Sequence, residues 1–448
     1  MKLHRKVLLI TYYFPPVGGG GVIRILKFAK YLPLFNWQPV IVTATVSGIT
    51  HDETLLDELP TNTQIYRTSV SFWGELKFKL LRKVFVQPSQ AGKQVQEKPH
   101  PKYNILYGIT KALEKLKKPI ESWFLIPDQH VTWVRSATRL ASKVIENNTI
   151  EAIITSGPPH SVHLVGLALS KKYNIPWIVD FRDDWYSNPI LMPTTAFASL
   201  AIKRMEHEVV EHAKILMTVT PPLRDKIALR YKNQPNSKFV TIWNGFDTAD
   251  YNSVSLIKKT TKYLDLRYVG SYSSLRTTTS LMTALATIKS LHPELFSLLH
   301  LTFIGQFADN QFRWREVFGD QISFRGQLIH TASVTAMLEA DALLLLVTSH
   351  EGGATAMPGK IFEYMNARRP ILALTAPGII TETITNLRLG WVANIDDAKE
   401  ITQTLITILQ YWQLHQKLPY EAKDRDLRLF DRKEQAGILA KLLDSITT

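Results

Sequence analysis

Short apolar or β-rich runs alternate with stretches of helical periodicity along most of this chain, and the alternation occurs twice. The first series is Val7–Tyr12, Pro39–Thr43, Ala152–Thr155, Trp177–Asp180, Leu216–Val219 and Phe239–Trp243. Helical patterns at Val22–Leu34, Ser161–Lys172 and Ala198–Ala213 lie between several of them. After a polar stretch at Asp250–Lys262, a second series follows: Asp265–Val269, Leu299–Ile304, Gln321–Phe324, Ala342–Val347 and Ile371–Leu374. Strands that alternate with helices pair in parallel, because the crossover helix returns the chain to the same sheet edge. The expectation is an α/β chain of two Rossmann-like, doubly wound domains facing a cleft, at 1–250 and 251–430. A final helix, 431–448, is expected to pack back on the first domain. Asp431 with Glu434 resembles a capping box at its start, and Ala436, Leu439, Leu442, Leu443 and Ile446 share one face.

At 448 residues the chain is too long for one core. It has no cysteine, which excludes disulfides and thiolate metal sites and is compatible with a reducing compartment. Met1–Lys6 is basic and Val7–Ile10 apolar, but Tyr12, Tyr13, Pro15 and Pro16 follow at once, so this reads as a first strand and not a signal peptide. The longest strongly apolar run, Ala342–Val347, is far short of a membrane span. Of the formal charge of +14, residues 72–118 carry eleven Lys/Arg against three acids. No nucleic-acid motif or interleaved aromatic platform accompanies this segment, so no nucleic-acid partner is expected. It reads as an insertion whose Trp73–Val86 part winds into a helix. Trp73, Leu76, Leu80, Leu81, Val84 and Phe85 fall on one side, with Glu75, Lys79, Arg82 and Lys83 on the other. That amphipathicity suits an anionic membrane surface; an ordinary core-facing helix is the alternative. Residues 87–102 read as a loop.

Several strand ends carry residues suited to ligands. Phe14–Gly21 places four consecutive glycines, Gly18 to Gly21, between strand and helix. Gly19 and Gly20 there allow close backbone approach to an anion. The stretch is neither a dinucleotide fingerprint, since Ile23 takes the last glycine position, nor a Walker A loop. Ser156–Ser161 follows the third strand of the series; Ser161 is expected to cap the next helix and to leave His160 at the site's mouth. Asp180-Phe181-Arg182-Asp183-Asp184-Trp185 clusters three carboxylates and a guanidinium at the next strand end. It is either a polar ligand site or a self-satisfied ion network. In the second half, Gly270 follows a strand and Arg276 stands within reach of a diphosphate; Gly305 and Arg325-Gly326 follow further strands. Pro358–Met365 then reads as a loop and a helix bearing Glu363 near its start, followed by the strand Ile371–Leu374. A carboxylate there can accept hydrogen bonds from two ribose hydroxyls, and the helix amino end beside Lys360 suits a phosphate. Both needs belong to a nucleoside diphosphate; the alternative is a merely solvated Glu363.

These residues, together with Trp243–Asp247, Phe324-x-Gly326 and Ala340-Asp341-Ala342, resemble in order and spacing the GT-B glycosyltransferases, specifically the large retaining family 4 type. Bacterial enzymes of surface polysaccharide and glycolipid synthesis are the nearest likeness. The resemblance implies hexosyl transfer from a nucleotide-diphosphate sugar to a lipid-linked or polysaccharide acceptor, with retention, without metal and without a further cofactor. It implies that Glu363 holds the donor ribose and Arg276 the diphosphate, with Lys360, Gly19, Gly20, Gly270 and Gly326 lining the donor. Arg182, Arg276 and His160 fall among the catalytic positions. Arg182 stands where such enzymes often place a histidine, and Thr355 where they commonly carry a second glutamate eight residues before Glu363; Glu351 lies four residues too early. A catalytically silent scaffold at the membrane and a GT-B-type epimerase stay open as alternatives. The expected location is the cytoplasm, as a peripheral protein on the inner face of the cell membrane.

Overall fold

The computed structural model describes residues 5–46, 52–69, 125–188, 195–251, 261–270, 279–306, 311–347 and 357–447. Arg276, Thr355 and the basic segment at 73–86 lie outside them. The chain divides into two compact units. The first comprises residues 1–218, 224–241 and 437–448; the second comprises 219–223 and 242–436.

The first unit is built on a seven-stranded sheet in the order β3-β2-β1-β4-β5-β6-β7. Its strands are β1 Arg5–Thr11, β2 Trp37–Ala44, β3 Gln64–Thr68, β4 Ile150–Gly157, β5 Trp177–Phe181, β6 Ile215–Thr218 and β7 Phe239–Thr241. Every pairing is parallel. Its main helices are α1 Gly20–Tyr31, α2 Val134–Glu146, α3 Val162–Tyr173, α4 Ala196–His212 and α5 Pro221–Arg230. The strand order reverses direction between β1 and β4, so the loops after these two strands diverge and leave a crevice at the carboxyl edge.

The second unit holds a six-stranded parallel sheet in the order β10-β9-β8-β11-β12-β13. These strands are β8 Leu264–Val269, β9 Leu299–Ile304, β10 Ile322–Arg325, β11 Ala342–Val347, β12 Ile371–Thr375 and β13 Gly390–Ala393. The helices around it are α6 Thr279–Leu291, α7 Pro293–Phe296, α8 Gln311–Phe318, α9 His330–Glu339, α10 Gly359–Ala367, α11 Ile379–Asn386, α12 Ala398–His415 and α13 Asp424–Leu427. Leu344, Leu346, Leu372 and Leu374 face a core shared with α6 and α12. Leu343, Leu345, Ile371 and Ala373 face the opposite core with α9, α10 and α11. A strand buried on both faces cannot alternate polar with apolar, which accounts for the unbroken run Ala342–Val347. The reversal in this sheet lies between β8 and β11.

The second unit takes in Ile242, ahead of the boundary expected at 250. The cause is local: Phe246 N–H donates to Phe430 O at 2.9 Å and Arg432 N–H donates to Phe246 O at 2.9 Å. A Cβ on Gly245 would sit 1.9 Å from Phe430 O, so this close approach admits glycine alone. The last helix, α14 Arg432–Thr447, begins in the second unit, and from Gly437 onward it belongs to the first. The Asp431 carboxylate accepts from the N–H groups of Lys433 and Glu434 at its start, at 2.8 and 3.2 Å. Ala436, Leu439, Ala440 and Leu443 are buried. Near its end, Asp444 Oδ1 accepts from Arg5 Nη1 and Trp37 Nε1, both at 3.0 Å. The Arg5 guanidinium lies 4.3 Å over the Trp37 ring and also pairs with Glu151 at 2.7 Å. Asp444→Ala removes two acceptor contacts on a half-exposed carboxylate. It should cost about 1 kcal/mol after discounting for solvent screening, read as a lowered unfolding midpoint.

Candidate functional site

In the first unit the carboxyl edge is organised by one buried ion pair. Arg24 on α1 donates through Nε and Nη2 to the two oxygens of Asp180 on β5, both at 3.0 Å, and Ser156 Oγ donates to the same carboxylate at 2.7 Å. Both charged side chains are essentially inaccessible, at 1% and 0% exposure. The pair fixes α1, and with it the glycine loop, against β4 and β5. Gly19 caps α1 at φ 112°, a backbone state that favours glycine, and open space surrounds the Cβ positions of Gly19 and Gly20. Their backbone is therefore accessible, as an anion site requires.

Arg182 reaches across the switch point. Its Nε donates to Gly157 O at 3.0 Å, its Nη2 to Pro158 O at 2.5 Å, and its Nη1 to Gly21 O. Three of its N–H groups thus tie the glycine loop after β1 to the loop after β4. Of the neighbouring acids, Asp180 is consumed by Arg24. Asp184 is held by Arg230 Nη2 at 2.9 Å and Lys226 at 2.8 Å. Burial opposes its ionisation, but hydrogen bonds from Lys226 and Ser187 and the Arg230 charge outweigh that and bring Asp184 down to about 2. Arg230 also pairs with the fully buried Glu206, which accepts from Tyr231 OH and Tyr186 N–H at 2.7 Å each. For Asp180 and Asp184 the ion-network reading is therefore the structural one.

His160 is buried at 1% exposure and stacks on Trp185 at 5.1 Å between ring centroids. Neither ring nitrogen has a hydrogen-bond partner among the described residues. Burial first, then the Arg182 charge, pushes its pKa down to about 3, so the ring is neutral. His163, also buried, lies with Nδ1 2.9 Å from Thr155 Oγ1, and burial, His160 and Arg182 hold it well below the ordinary histidine value. Ser161 does not cap α3: its Oγ is buried without a partner, and its backbone N–H instead donates to Asp128 Oδ2 at 2.8 Å.

The second unit gathers Gly270, Lys360 and Glu363 at its own switch point. Gly270 follows β8 at φ 135°, and Lys360, in the first turn of α10, lies directly across it. A Cβ on Gly270 would stand 2.0 Å from Lys360 Cε. The ammonium donates to Tyr268 OH at 2.7 Å and sits 4.3 Å from that ring's centroid. Tyr364, fully buried, accepts from Val269 N–H at 2.9 Å and donates to Leu344 O at 3.2 Å. One phenol thereby pins α10 to the end of β8 and the middle of β11, the two strands that flank the reversal. Glu363 precedes it on the helix and is half-buried; its backbone O accepts from Tyr251 OH at 2.9 Å. Among the described residues no side chain caps the amino end of α10. Gly305 N–H donates to Arg325 O at 3.0 Å, and Gly326 beyond it is exposed with nothing within 4 Å of a Cβ position. A cation, an uncapped helix amino end and a carboxylate within one turn can serve a phosphate and a polyol together.

The sequence reading missed Arg24, Asp128, Glu206 and Arg230, whose partners are remote in the chain, and the part played by Tyr364, which it had only as a member of the Pro358–Met365 stretch. Among the groups they hold, Asp180, Asp184 and Ser161 had drawn notice.

Residues 265–411 match the family model described as glycosyl transferases group 1. No curated protein matches the chain by sequence. Among solved structures, a glycosyltransferase from Rickettsia africae superposes with a TM-score of 0.62 at 14% identity, covering 99% of this chain and 98% of that one. Sucrose-phosphate synthase from Thermosynechococcus elongatus gives 0.59 at 15% identity, with 98% of each chain covered. A putative UDP-N-acetylglucosamine 2-epimerase from Listeria monocytogenes gives 0.55 at 10% identity, covering 98% and 96%. At these identities the likeness establishes the fold, and the fold hosts more than one activity. The chain has the GT-B fold, and residues 265–411 carry the sequence pattern of group 1 glycosyl transferases.

Proposed function

We propose that this protein is a glycosyltransferase of the family 4 kind, moving a sugar from a nucleotide-diphosphate donor to a hydroxyl of a lipid-linked or polysaccharide acceptor. Transfer proceeds with retention and without metal. The observation that carries the reading is Lys360 laid across Gly270 beside the uncapped start of α10, inside the segment that matches the group 1 model. On this reading the second unit holds the donor. Lys360 and the α10 amino end neutralise charge on the departing diphosphate, and Glu363 accepts from the ribose hydroxyls. Arg276 joins them on the diphosphate, and Thr355 borders the donor sugar. The first unit takes the acceptor, with Gly19 and Gly20 approaching phosphate through backbone N–H groups. Arg182 and His160 shape that edge, Arg182 by fixing the two loops. Residues 73–86 attach the protein to the anionic inner face of the cell membrane. Among the described residues no helix is long and apolar enough to cross a membrane.

Glu363→Ala should weaken binding of the cognate nucleotide by about 1.5–3 kcal/mol, the range for hydrogen bonds to a charged group. Calorimetric titration of wild type and variant reads this directly. Equal affinity would remove Glu363 from the ribose.

A further inference from the structure

One face of the second sheet departs from the pattern of a doubly wound fold. β8 (Leu-Asp-Leu-Arg-Tyr-Val) and β9 (Leu-His-Leu-Thr-Phe-Ile) are internal strands, yet each alternates apolar with polar over its first four residues. Internal strands covered on both faces normally read as unbroken apolar runs. Here Leu264, Leu266, Leu299 and Leu301 enter the core shared with α6 and α12. The opposite face carries Asp265 beside His300 and Arg267 beside Thr302, and β10 continues the row with Ser323 and Arg325. This polar face lines a cavity of about 240 Å³, the scale of one monosaccharide, which Glu339 and Asp341 border at the end of α9. Part of the lining is spent within the fold. Arg267 Nε donates to the Asp265 oxygens at 3.0 and 3.1 Å, its Nη1 donates to Glu339 Oε2 at 3.2 Å, and Asp341 Oδ2 accepts from Asp265 N–H at 3.1 Å. His300 and Arg325 also line the cavity, but their side chains make no hydrogen bond or ion pair among the described residues. The His300 ring meets the Tyr263 ring edge-on at 5.2 Å between centroids. Asp265 lies about 16 Å along the strand from Gly270, at about 3.3 Å per residue, so the donor chemistry does not use this cavity.

We propose that this cavity binds a neutral monosaccharide, at a site separate from the donor site. Charge balance sets the class. The carboxylates of Asp265, Glu339 and Asp341 and the guanidiniums of Arg267 and Arg325 line one small space. An anion that reached Arg325 would face the carboxylates, and a simple cation would face the guanidiniums, with Asp265 already spent on Arg267. Neither recovers the hydration it gives up. A neutral polyol meets no such conflict, because each hydroxyl both donates and accepts. Planar charged groups also suit neighbouring hydroxyls: Arg325 can donate to two at once, while Glu339 Oε1 accepts and His300 serves either way. Tyr263, 39% exposed, offers a ring to the C–H side of a pyranose. The proposal goes beyond the transfer reading and does not depend on it.

The test is saturation-transfer NMR titration of the full-length protein with glucose, galactose, mannose and N-acetylglucosamine, beside inorganic phosphate as the ionic probe. At least one sugar should bind wild type, and bind Glu363→Ala, whose change falls in the donor site, with the same affinity. Arg325→Ala should weaken that binding about tenfold or more, the loss expected for hydrogen bonds from a charged group. His300→Ala should weaken it as well. Both variants should keep the wild-type unfolding midpoint, since neither side chain holds a hydrogen-bonded partner among the described residues. Sugar binding that is unchanged in both variants, or that disappears in Glu363→Ala, lies elsewhere and overturns the proposal. Binding of phosphate alone, or of none of the probes, overturns it too. None of these results bears on nucleotide binding, which titration of Glu363→Ala with nucleotides tests separately.

Discussion

Asp180→Ala is expected to destabilise the first unit by about 3–5 kcal/mol, because it removes the bidentate carboxylate from the Arg24 guanidinium at 1% exposure. The size follows from an asymmetry. A buried pair gains little over apolar neighbours of the same shape, but a buried charge left alone forfeits its hydration with nothing in return. The paired change Arg24→Met with Asp180→Leu should therefore recover most of the loss, which the single changes cannot. Calorimetric unfolding of Asp180→Ala and of the double variant beside wild type checks this. If Asp180→Ala and the double variant unfold together with wild type, the pair does not organise this edge. Function should respond differently from stability. The double variant releases α1 and the glycine loop from β5, so it should remain folded while losing turnover.

Acid should destabilise the same unit through His160. Its folded value lies near 3, against an ordinary 6.5 when the chain is unfolded. The unfolded state therefore binds a proton first as pH falls, and stability is lost progressively from pH 6.5 down to about 3. Above 6.5 the contribution is constant. A tenfold change in proton affinity corresponds to about 1.36 kcal/mol, so this one ring accounts for about 4–5 kcal/mol by the bottom of the window. His163 moves in the same direction and adds to the slope. His160→Phe keeps the stack on Trp185 and removes the titration. Its unfolding free energy should fall less steeply between pH 6.5 and 4 than that of wild type. Parallel slopes would show that His160 titrates normally.

The central strands were legible because burial on both faces writes an unbroken apolar run, as in Ala342–Val347 and Ile371–Leu374. Two of the edge strands were not. β3 (Gln-Ile-Tyr-Arg-Thr) and β13 (Gly-Trp-Val-Ala) are short and largely half-buried or exposed, so they lack the pattern that marks the centre. Helix starts were read within two residues for α1, α3 and α4, since each follows a strand end rich in Gly, Pro or a polar cap. The candidate site was legible as residue types at strand ends, not as contacts. Gly270 and Lys360 each stood out alone, but only the fold lays one across the other. Ser161 looked like a cap because serine suits that role locally; Asp128 instead takes its backbone N–H, and a partner from another loop leaves no local trace. The Asp180–Asp184 cluster had two readings, and choosing between them required Arg24 and Arg230, which sequence proximity could not supply.

The central claim is a nucleotide-sugar donor site built on Lys360 and Glu363 in the second unit. Its most direct test is thermal stabilisation of wild type and Glu363→Ala by UDP, GDP, ADP, CMP and their sugar conjugates. One nucleotide series should stabilise wild type, by about 2.7 kcal/mol at a hundredfold excess over its dissociation constant, and stabilise the variant markedly less. No response to any of them, or an equal response in both proteins, would contradict it.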